Sequence, residues 1–394
     1  MNDTPNPNRT HIAIFGRRNA GKSSIINAIA NQDVAIVSDT AGTTTDPVKK
    51  AIEINTLGAC TIVDTAGFDD EGELGLLRIK RTKKIMESSD IALLVFDASF
   101  EDNDYLLELK WKNELVSLEI PTIAILNKID LNDNYKSSEQ NIKDIFDLET
   151  VSISAFNKLN IDKLIETIKL TIPKEEEISI TGHIVNEDDI VMLVMPQDIQ
   201  APKGRLILPQ VQTIRDILDN KAVIMASTFD KFEKALKSLS KPPKVIITDS
   251  QVFKEVEKLK PEESLLTSFS VLFARYKGNE EIYKRGADFI DKLTKDSKLL
   301  IAESCTHVPL EGDIGRVKIP NLLKKKFGFA FDIDYAAGND FPDDLSKYDL
   351  VIHCGGCMGT RKHILNRIRI CEEQNIPITN YGMTIAKINN VKYI

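Results

Sequence analysis

The chain lacks the long hydrophobic run that a membrane span requires. No stretch approaches the roughly 20 consecutive apolar residues of a transmembrane helix. The first residues, MNDTPNPNRTH, show neither the basic part nor the apolar part of a secretory signal. We therefore expect a cytoplasmic protein with no membrane partner.

Cysteine is also scarce. Five cysteines are spread over 394 residues, and an odd number argues against a disulfide framework. In a chain without an export signal, such cysteines are expected to be free thiols, metal ligands or reactive groups.

The sequence has no excess of positive charge. Its 51 lysine and arginine residues are outnumbered by 59 aspartate and glutamate residues, which gives a net charge of -8. Binding to nucleic acid without sequence preference depends on lysine and arginine placed against phosphates, so we expect no nucleic-acid partner. A content of 42% hydrophobic and 28% charged residues is typical of a globular protein of two or three domains.

The segment HIAIFGRRNAGKSS carries the first nucleotide-binding motif. Residues 16–23 match G-x-x-x-x-G-K-[ST] between an apolar run and a helical pattern. In this motif, backbone N–H groups hold phosphates, Lys22 reaches the β and γ phosphates, and the Ser23 hydroxyl ligates Mg²⁺. The residues that we assign to the nucleotide here are Gly16, Asn19, Ala20, Gly21, Lys22, Ser23 and Ser24.

A second motif, TIVDTAGF, follows an apolar strand. It delivers Asp64 to the magnesium shell and Gly67 to the γ phosphate, as nucleotide switches require. Phe68 stands where Ras-like proteins carry the glutamine that orients the attacking water. We therefore expect slow intrinsic hydrolysis and leave the catalytic residue that positions the water unassigned.

Two later motifs select the base. AILNKID supplies Asn127 and Asp130, whose amide and carboxylate complement the edges of guanine, and Lys128, which packs over the base. SISAF supplies Ser154 and Ala155, which direct a backbone N–H at the guanine O6. Because adenine presents the wrong donor pattern to Asp130, the four motifs predict binding of GTP and GDP.

The segments GRRNAGKSS and DTAGTTTDP resemble those of the Era and TrmE branch of the Ras-like GTPases. The resemblance covers about residues 8–172. The resemblance implies that Asn19 helps to hold a K⁺ ion that substitutes for an arginine finger. It also implies that Thr44 completes the magnesium shell. A tRNA-modifying GTPase stays open as the alternative from another class, since the nucleotide motifs alone fit it as well.

The composition changes after Pro173, where KEEEISITGH is charged and then polar. From DIVMLVMP to KVIITDSQVF, short apolar runs alternate with helical stretches, which indicates β-α units around a parallel sheet. This part has no catalytic constellation and is a candidate for oligomerisation. We expect an α/β protein of three domains, residues 1–174, 175–262 and 263–394, of which the first binds GTP.

Two similar elements, KLLIAESCTH and YDLVIHCGGC, lie in the last part of the chain. Each is an apolar run that predicts a buried strand and ends in cysteine and histidine. In open parallel sheets, ligands bind outside the carboxyl ends of the strands. Neighbouring strands would therefore bring Cys305 and His307 against His353, Cys354 and Cys357.

Three kinds of site fit these residues. A redox-active C-x-x-C dithiol would leave Cys305 and both histidines without a role. A structural zinc site with three thiolates and one imidazole fits the ligand count. An iron-sulfur cluster with three thiolates and one exchangeable ligand fits it too. Cys60 and Cys371 lie on apolar elements and are expected to be core thiols.

The combination of a TrmE-like GTPase domain with C-x-H, a gap of about 45 residues and H-C-x-x-C resembles the HydF family, the GTPase maturation factors of FeFe hydrogenase. The resemblance extends over the whole chain. It implies that residues 175–262 form a dimerisation domain and residues 263–394 an iron-sulfur cluster-binding domain. It also implies that Cys305, Cys354 and Cys357 bind a 4Fe–4S cluster, with His307 and His353 as nearby or conditional ligands. It also implies a homodimer or higher oligomer that carries a di-iron precursor to apo-hydrogenase and works with radical-SAM maturation enzymes.

Replacement of Asp130 by asparagine should change the nucleotide preference. Asp130→Asn reverses the hydrogen-bond pattern offered to the guanine N1 and N2 groups, and discrimination of this kind is strong because the wrong base leaves polar groups unpaired. The variant should prefer xanthine nucleotides in a binding titration. An unchanged affinity for GTP would refute the assignment of Asp130 to the base.

Overall fold

The structure is a computed structural model of the chain. It describes residues 5, 8–30, 36–40, 48–54, 57–65, 82, 85–100, 104–173, 178–196, 206–304, 313–338, 340–357 and 359–394. The chain divides into two compact units, Met1–Glu175 and Glu176–Ile394. None of the described helices has the length and hydropathy to cross a membrane.

The first unit is built on a sheet of parallel and antiparallel strands. Its described strands are β1 (Thr10–Gly16), β2 (Ile36–Thr40), β3 (Val48–Ile54), β4 (Gly58–Asp64), β5 (Ile91–Asp97), β6 (Thr122–Asn127) and β7 (Thr150–Ser152). Within the described residues their order is β2-β3-β4-β1-β5-β6-β7. β3 pairs antiparallel with β2 and β4, and the other neighbouring strands are parallel.

Helices cover both faces of this sheet. They are α1 (Lys22–Ala30), α2 (Leu106–Ser117), α3 (Tyr135–Phe146) and α4 (Ile161–Thr171). Because successive side chains of a strand point to opposite faces, Ile12 and Ile14 of β1 pack with α1 and α4, whereas Ala13 and Phe15 pack with α2 and α3. Strands buried on both faces have continuous apolar sequences, as the motif IALLVFD of β5 shows.

The second unit contains two parallel sheets among its described residues, ordered β11-β10-β8-β9 and β13-β12-β14-β15. The strands are β8 (Ile190–Val194), β9 (Val223–Ser227), β10 (Val245–Thr248), β11 (Leu265–Ser268), β12 (Lys298–Glu303), β13 (Asp332–Ala337), β14 (Leu350–His353) and β15 (Ile378–Asn380). The helices are α5 (Leu208–Asp219), α6 (Phe232–Lys237), α7 (Phe253–Leu259), α8 (Phe269–Lys277), α9 (Glu280–Phe289), α10 (Ile319–Phe327), α11 (Arg361–Glu373) and α12 (Tyr381–Asn389). The predicted α/β class is confirmed.

Helix α8 packs against the cores of both sheets in the second unit. Leu272 and Phe273 belong to the core beneath β8 and β10, whereas Val271 and Ala274 belong to the core beneath β12 and β14. The helix is therefore held on two sides, and its last residue, Lys277, lies beside the second sheet. The boundary expected at residues 262 and 263 stays a prediction, because the two sheets lie within one compact unit.

Candidate functional site

The phosphate-binding loop joins β1 to α1, as its sequence predicts. The Nζ of Lys22, the first residue of α1, donates to the carbonyl oxygens of Gly16 and Arg17 at 3.0 and 2.9 Å. Gly21 has a φ of 91°, and a Cβ at this position would collide with the Nδ2 of Asn127. Asn19 is exposed at a φ of 63°, a left-handed conformation that asparagine tolerates. This turn geometry accounts for an asparagine here, and the role in binding K⁺ stays a prediction.

The two described residues assigned to Mg²⁺ lie side by side. The Oγ of Ser23 donates to the Oδ2 of Asp64 at 2.6 Å. This contact follows from the parallel pairing of β1 with β4, in which Ile14 stands opposite Asp64. Thr44 and Gly67 lie outside the described residues, as does Phe68. A hydroxyl and a carboxylate at this separation form a suitable oxygen donor pair for Mg²⁺.

Asn127 connects three of the nucleotide-binding segments. Its Nδ2 donates to the carbonyl oxygen of Ala20 at 3.0 Å, and its Oδ1 accepts from the backbone N–H of Ala155 at 3.1 Å. The side chain is buried. The amide therefore ties the phosphate loop and the SISAF loop to the end of β6. This connecting role is additional to the guanine contact that the sequence predicts.

The other described residues assigned to the nucleotide differ in their exposure. Asp130 is exposed in a 3₁₀ turn, Ile129–Leu131, directly after Lys128. Ser154 is buried, and its Oγ accepts from the backbone N–H of Asn157 at 3.0 Å. Ser24 is exposed on α1.

Asp97, at the end of β5, is a site residue that the motifs did not indicate. The Nζ of Lys128 lies 2.6 Å from its Oδ2, and Ser99 donates to its Oδ1. Burial raises the pKa of Asp97, but the hydrogen bonds from Lys128 and Ser99 outweigh burial and lower the pKa below its ordinary value. The carboxylate therefore stays ionised and orients Lys128. The sequence does contain a signal for Asp97, because the apolar run IALLVFD ends in an acidic residue just as TIVD does.

The cysteine site lies at the carboxyl ends of β12 and β14. These strands are parallel neighbours, with Ala302 opposite His353. The backbone N–H of Cys354 donates to the carbonyl oxygen of Ala302 at 2.8 Å. The Sγ of Cys354 accepts from the N–H of Ser304 at 3.1 Å and from the N–H of Gly356 at 3.4 Å. Both strand ends thus contribute to the surroundings of one sulfur atom.

The two glycines between the neighbouring cysteines differ in their surroundings. Gly356 has a φ of 63°, and a Cβ there would lie 2.8 Å from the Cδ1 of Ile364. At Gly355, the nearest described atom to an added Cβ is the Oγ of Ser270, at 3.8 Å. Cys354 and Cys357 are half-buried. Backbone N–H donors aimed at the sulfur of Cys354 fit a sulfur that ligates an iron-sulfur cluster.

A helix begins directly after the loop. Thr360 caps α11, since its side chain accepts from the N–H of His363 at 3.2 Å. The expected core positions of Cys60 and Cys371 are confirmed, because both side chains are fully buried.

His353 is fully buried, and both of its ring nitrogens are engaged. The Nη1 of Arg367 lies 2.9 Å from Nε2, and Nδ1 lies 2.7 Å from the carbonyl oxygen of Cys354. A guanidinium can only donate and a carbonyl can only accept, so Nδ1 carries the proton. Burial and then the charge of Arg367 push the pKa of His353 well below its ordinary value. The neutral imidazole therefore supports the backbone of Cys354.

Lys277 approaches the same loop from the end of α8. Its Nζ donates to the carbonyl oxygens of Gly356, Cys357 and Gly359 at 3.0, 3.2 and 2.8 Å. The side chain is buried. Burial lowers the pKa of Lys277 to about 8, and the thiols of Cys357 and Cys354 act in the opposite direction. The sequence pattern of α8 gave no sign of this role.

The described part of the chain does not itself complete a metal site. Within residues 313–338, 340–357 and the other described ranges, no three histidine, cysteine, aspartate or glutamate side chains form a group that would hold a metal ion. Cys305 and His307 lie outside those ranges. The ligand set predicted from the sequence therefore stays a prediction.

Three family models match the chain in succession. Residues 11–128 match the 50S ribosome-binding GTPase model, residues 180–278 match the hydrogen maturase F dimerization domain, and residues 281–392 match the hydrogen maturase F tetramerization domain. The last of these covers most of the region that we expect to bind the cluster, and its description concerns assembly.

The curated relatives and solved structures each resemble part of the chain. GTPase Der of Sulfurimonas denitrificans is 35% identical over 175 residues, which are 42% of this chain and 35% of the relative. The tRNA modification GTPase MnmE of Streptococcus pneumoniae is 35% identical over 160 residues, which are 40% of this chain and 32% of the relative. The chain spans about a third of the length of the curated relatives it matches. The structure of Aquifex aeolicus Era matches with a TM-score of 0.36 and 21% identity. The match covers 55% of this chain and 92% of the Era chain.

The fold and the nucleotide loops define the first unit as a Ras-like P-loop GTPase domain. The two models that match after it are both domains of hydrogen maturase F. The chain therefore belongs to the hydrogen maturase F family.

Replacement of Asn127 by aspartate should destabilise the first unit even without nucleotide. In Asn127→Asp an oxygen replaces Nδ2, so the carbonyl of Ala20 loses its donor and faces a carboxylate. Leaving a buried polar group unsatisfied costs about 1–3 kcal/mol. Chemical denaturation should show this loss, whereas Asn134→Asp, the same change at an exposed position, should have little effect. Equal stability of the two variants would contradict the connecting role of Asn127.

Proposed function

We propose that the chain is a GTPase of FeFe hydrogenase maturation. It holds a 4Fe–4S cluster on Cys305, Cys354 and Cys357, receives a di-iron precursor and delivers it to apo-hydrogenase. The observation that carries this proposal is the hydrogen bond from the N–H of Ser304 to the Sγ of Cys354, at 3.1 Å.

This hydrogen bond bears on all three cysteines. Ser304 directly precedes Cys305 in the sequence, and consecutive Cα atoms are about 3.8 Å apart. Cys305 is therefore the next residue in the chain after Ser304, whose N–H contacts the Sγ of Cys354. Cys357 follows Cys354 after the two glycines. The pairing of β12 with β14 supports convergence of the three thiols, and it favours a three-thiolate site over an isolated C-x-x-C dithiol.

Backbone donors face the sulfur of Cys354. Two N–H groups reach its Sγ, as hydrogen bonds do at the ligating sulfurs of iron-sulfur clusters. When bound, a 4Fe–4S cluster held by three thiolates supplies one iron with an exchangeable coordination position. His353 maintains the conformation of the Cys354 backbone through its Nδ1–H. His307 is the histidine that we retain as a candidate ligand.

In the first unit, the loop residues bind GTP with Mg²⁺ and hydrolyse it slowly. Lys22 holds the phosphates, and Ser23 with Asp64 provides oxygen donors for the metal ion. Asn127 and Asp130 select guanine, and Asp97 orients Lys128. Hydrolysis is stimulated by K⁺ through Asn19.

The second unit assembles the protein and meets its partners. The matches to a dimerization and a tetramerization domain support a homodimer or a higher homo-oligomer. The other partners in this proposal are apo-hydrogenase and the radical-SAM enzymes of the same maturation process.

Serine at any of the three cysteines should remove most of the bound iron. A hydroxyl is a much poorer ligand than a thiolate for iron-sulfur clusters. Iron should be measured after anaerobic reconstitution of Cys305→Ser, Cys354→Ser and Cys357→Ser, together with maturation of apo-hydrogenase. Cys371→Ala, which changes a buried core thiol, is the matched control and should retain iron. Full iron occupancy in Cys305→Ser would show that the two strand ends do not share one site.

Hydrolysis of GTP should depend on the monovalent cation. A K⁺ ion at the phosphates neutralises charge that an arginine finger would otherwise stabilise. Turnover should be faster in K⁺ than in matched Na⁺ buffer, and Asn19→Ala should abolish the difference while GTP still binds. Equal turnover of the unmodified chain in the two buffers would exclude this role for K⁺.

A further inference from the structure

The Lys277 ammonium is a buried cation whose described hydrogen bonds go to the loop that carries Cys354 and Cys357. An ammonium has three N–H donors and no acceptor. The three donors meet three carbonyl oxygens, those of Gly356, Cys357 and Gly359. The ring of Phe273 adds a cation–π contact, with its centroid 5.8 Å from Nζ. Within the described residues, these carbonyl oxygens occupy the three N–H donors of the ammonium.

A neutral donor could form the same hydrogen bonds to these carbonyl groups with a smaller desolvation free energy. Moving a charged group out of water is much less favourable than moving a neutral polar group, unless an opposite charge lies nearby. The dipoles of the three carbonyl groups offset part of the desolvation of the ammonium. When a cluster is bound, the ligating thiolates of Cys354 and Cys357 supply negative charge on this loop. A buried ammonium at this place thus matches an anionic occupant of the loop.

The same contacts fix the loop. The C=O and the N–H of a trans peptide point in opposite directions. By holding the carbonyl of Gly356, Lys277 sets the direction of the N–H of Cys357. On the other side of the loop, the N–H of Gly356 points at the Sγ of Cys354. One side chain thus orders the backbone between the two cysteines.

The geometry points to Lys277 as the built-in counter-charge of the cysteine site, a positioning residue that orders the loop and raises the reduction potential of the group bound there. This inference rests on the proposed cluster-binding function. A positive charge close to a redox centre stabilises its reduced form, because the added electron is attracted to it. The effect is strong where the charge is buried and screened little by water.

The test is the midpoint potential of the cluster in the full-length chain, reconstituted anaerobically with ferrous iron and sulfide and titrated at fixed pH by EPR. Lys277→Gln removes the charge and keeps a donor for the carbonyl groups. Lys277→Met removes both, and Lys277→Arg keeps the charge. Lys325→Met is the matched control, since Lys325 is an exposed lysine on α10. GTP hydrolysis and thermal unfolding show whether each variant is folded.

We expect the potential to become more negative in Lys277→Gln and Lys277→Met, and to stay at the value of the unmodified chain in Lys277→Arg and Lys325→Met. Loss of the cluster from both neutral variants, with retention in Lys277→Arg, also supports the counter-charge. An unchanged potential in Lys277→Gln overturns it, as does loss of the cluster from all three Lys277 variants, which indicates a structural role. If the unmodified chain binds no cluster, the proposed function fails and this inference fails with it.

Discussion

The parallel pairing of neighbouring strands is the constraint on which both sites depend. Strands that run in the same direction end at the same edge of a sheet, and side chains just beyond those ends meet there. In the first unit, β4 and β6 deliver Asp64 and Asn127 to the phosphate loop. In the second unit, β12 and β14 bring Ser304 and Cys354 into contact. The cysteine site depends on strand register, because a different pairing of β14 would separate Ser304 from Cys354.

Much of this arrangement could be predicted from the sequence, because the decisive residues stand directly after apolar runs. The strands before Asp64, Asn127 and Cys354 all form. The order of motifs also predicts the family. Such features are local, since they depend on a run of side chains and the residue that follows it.

The supporting cations could not be predicted in this way. Lys277 ends a helix of ordinary composition, and Arg367 lies on a helix that also carries several exposed charges. Their roles arise from packing across the unit: α8 is held between two sheets, and Arg367 reaches the Nε2 of His353 and the carbonyl of Gly338. The sequence treats His353 as a conditional ligand, whereas the structure engages both of its ring nitrogens. No local pattern encodes such long-range contacts.

Anaerobic reconstitution of the full-length chain, followed by metal analysis and by visible and EPR spectroscopy, tests the central claim most directly. With the proposed site of three thiolates, the chain should take up about four iron ions, as one 4Fe–4S cluster requires. It should become coloured and give an EPR signal on reduction. Stoichiometric zinc without iron after anaerobic purification would contradict this account and indicate a closed structural metal site instead.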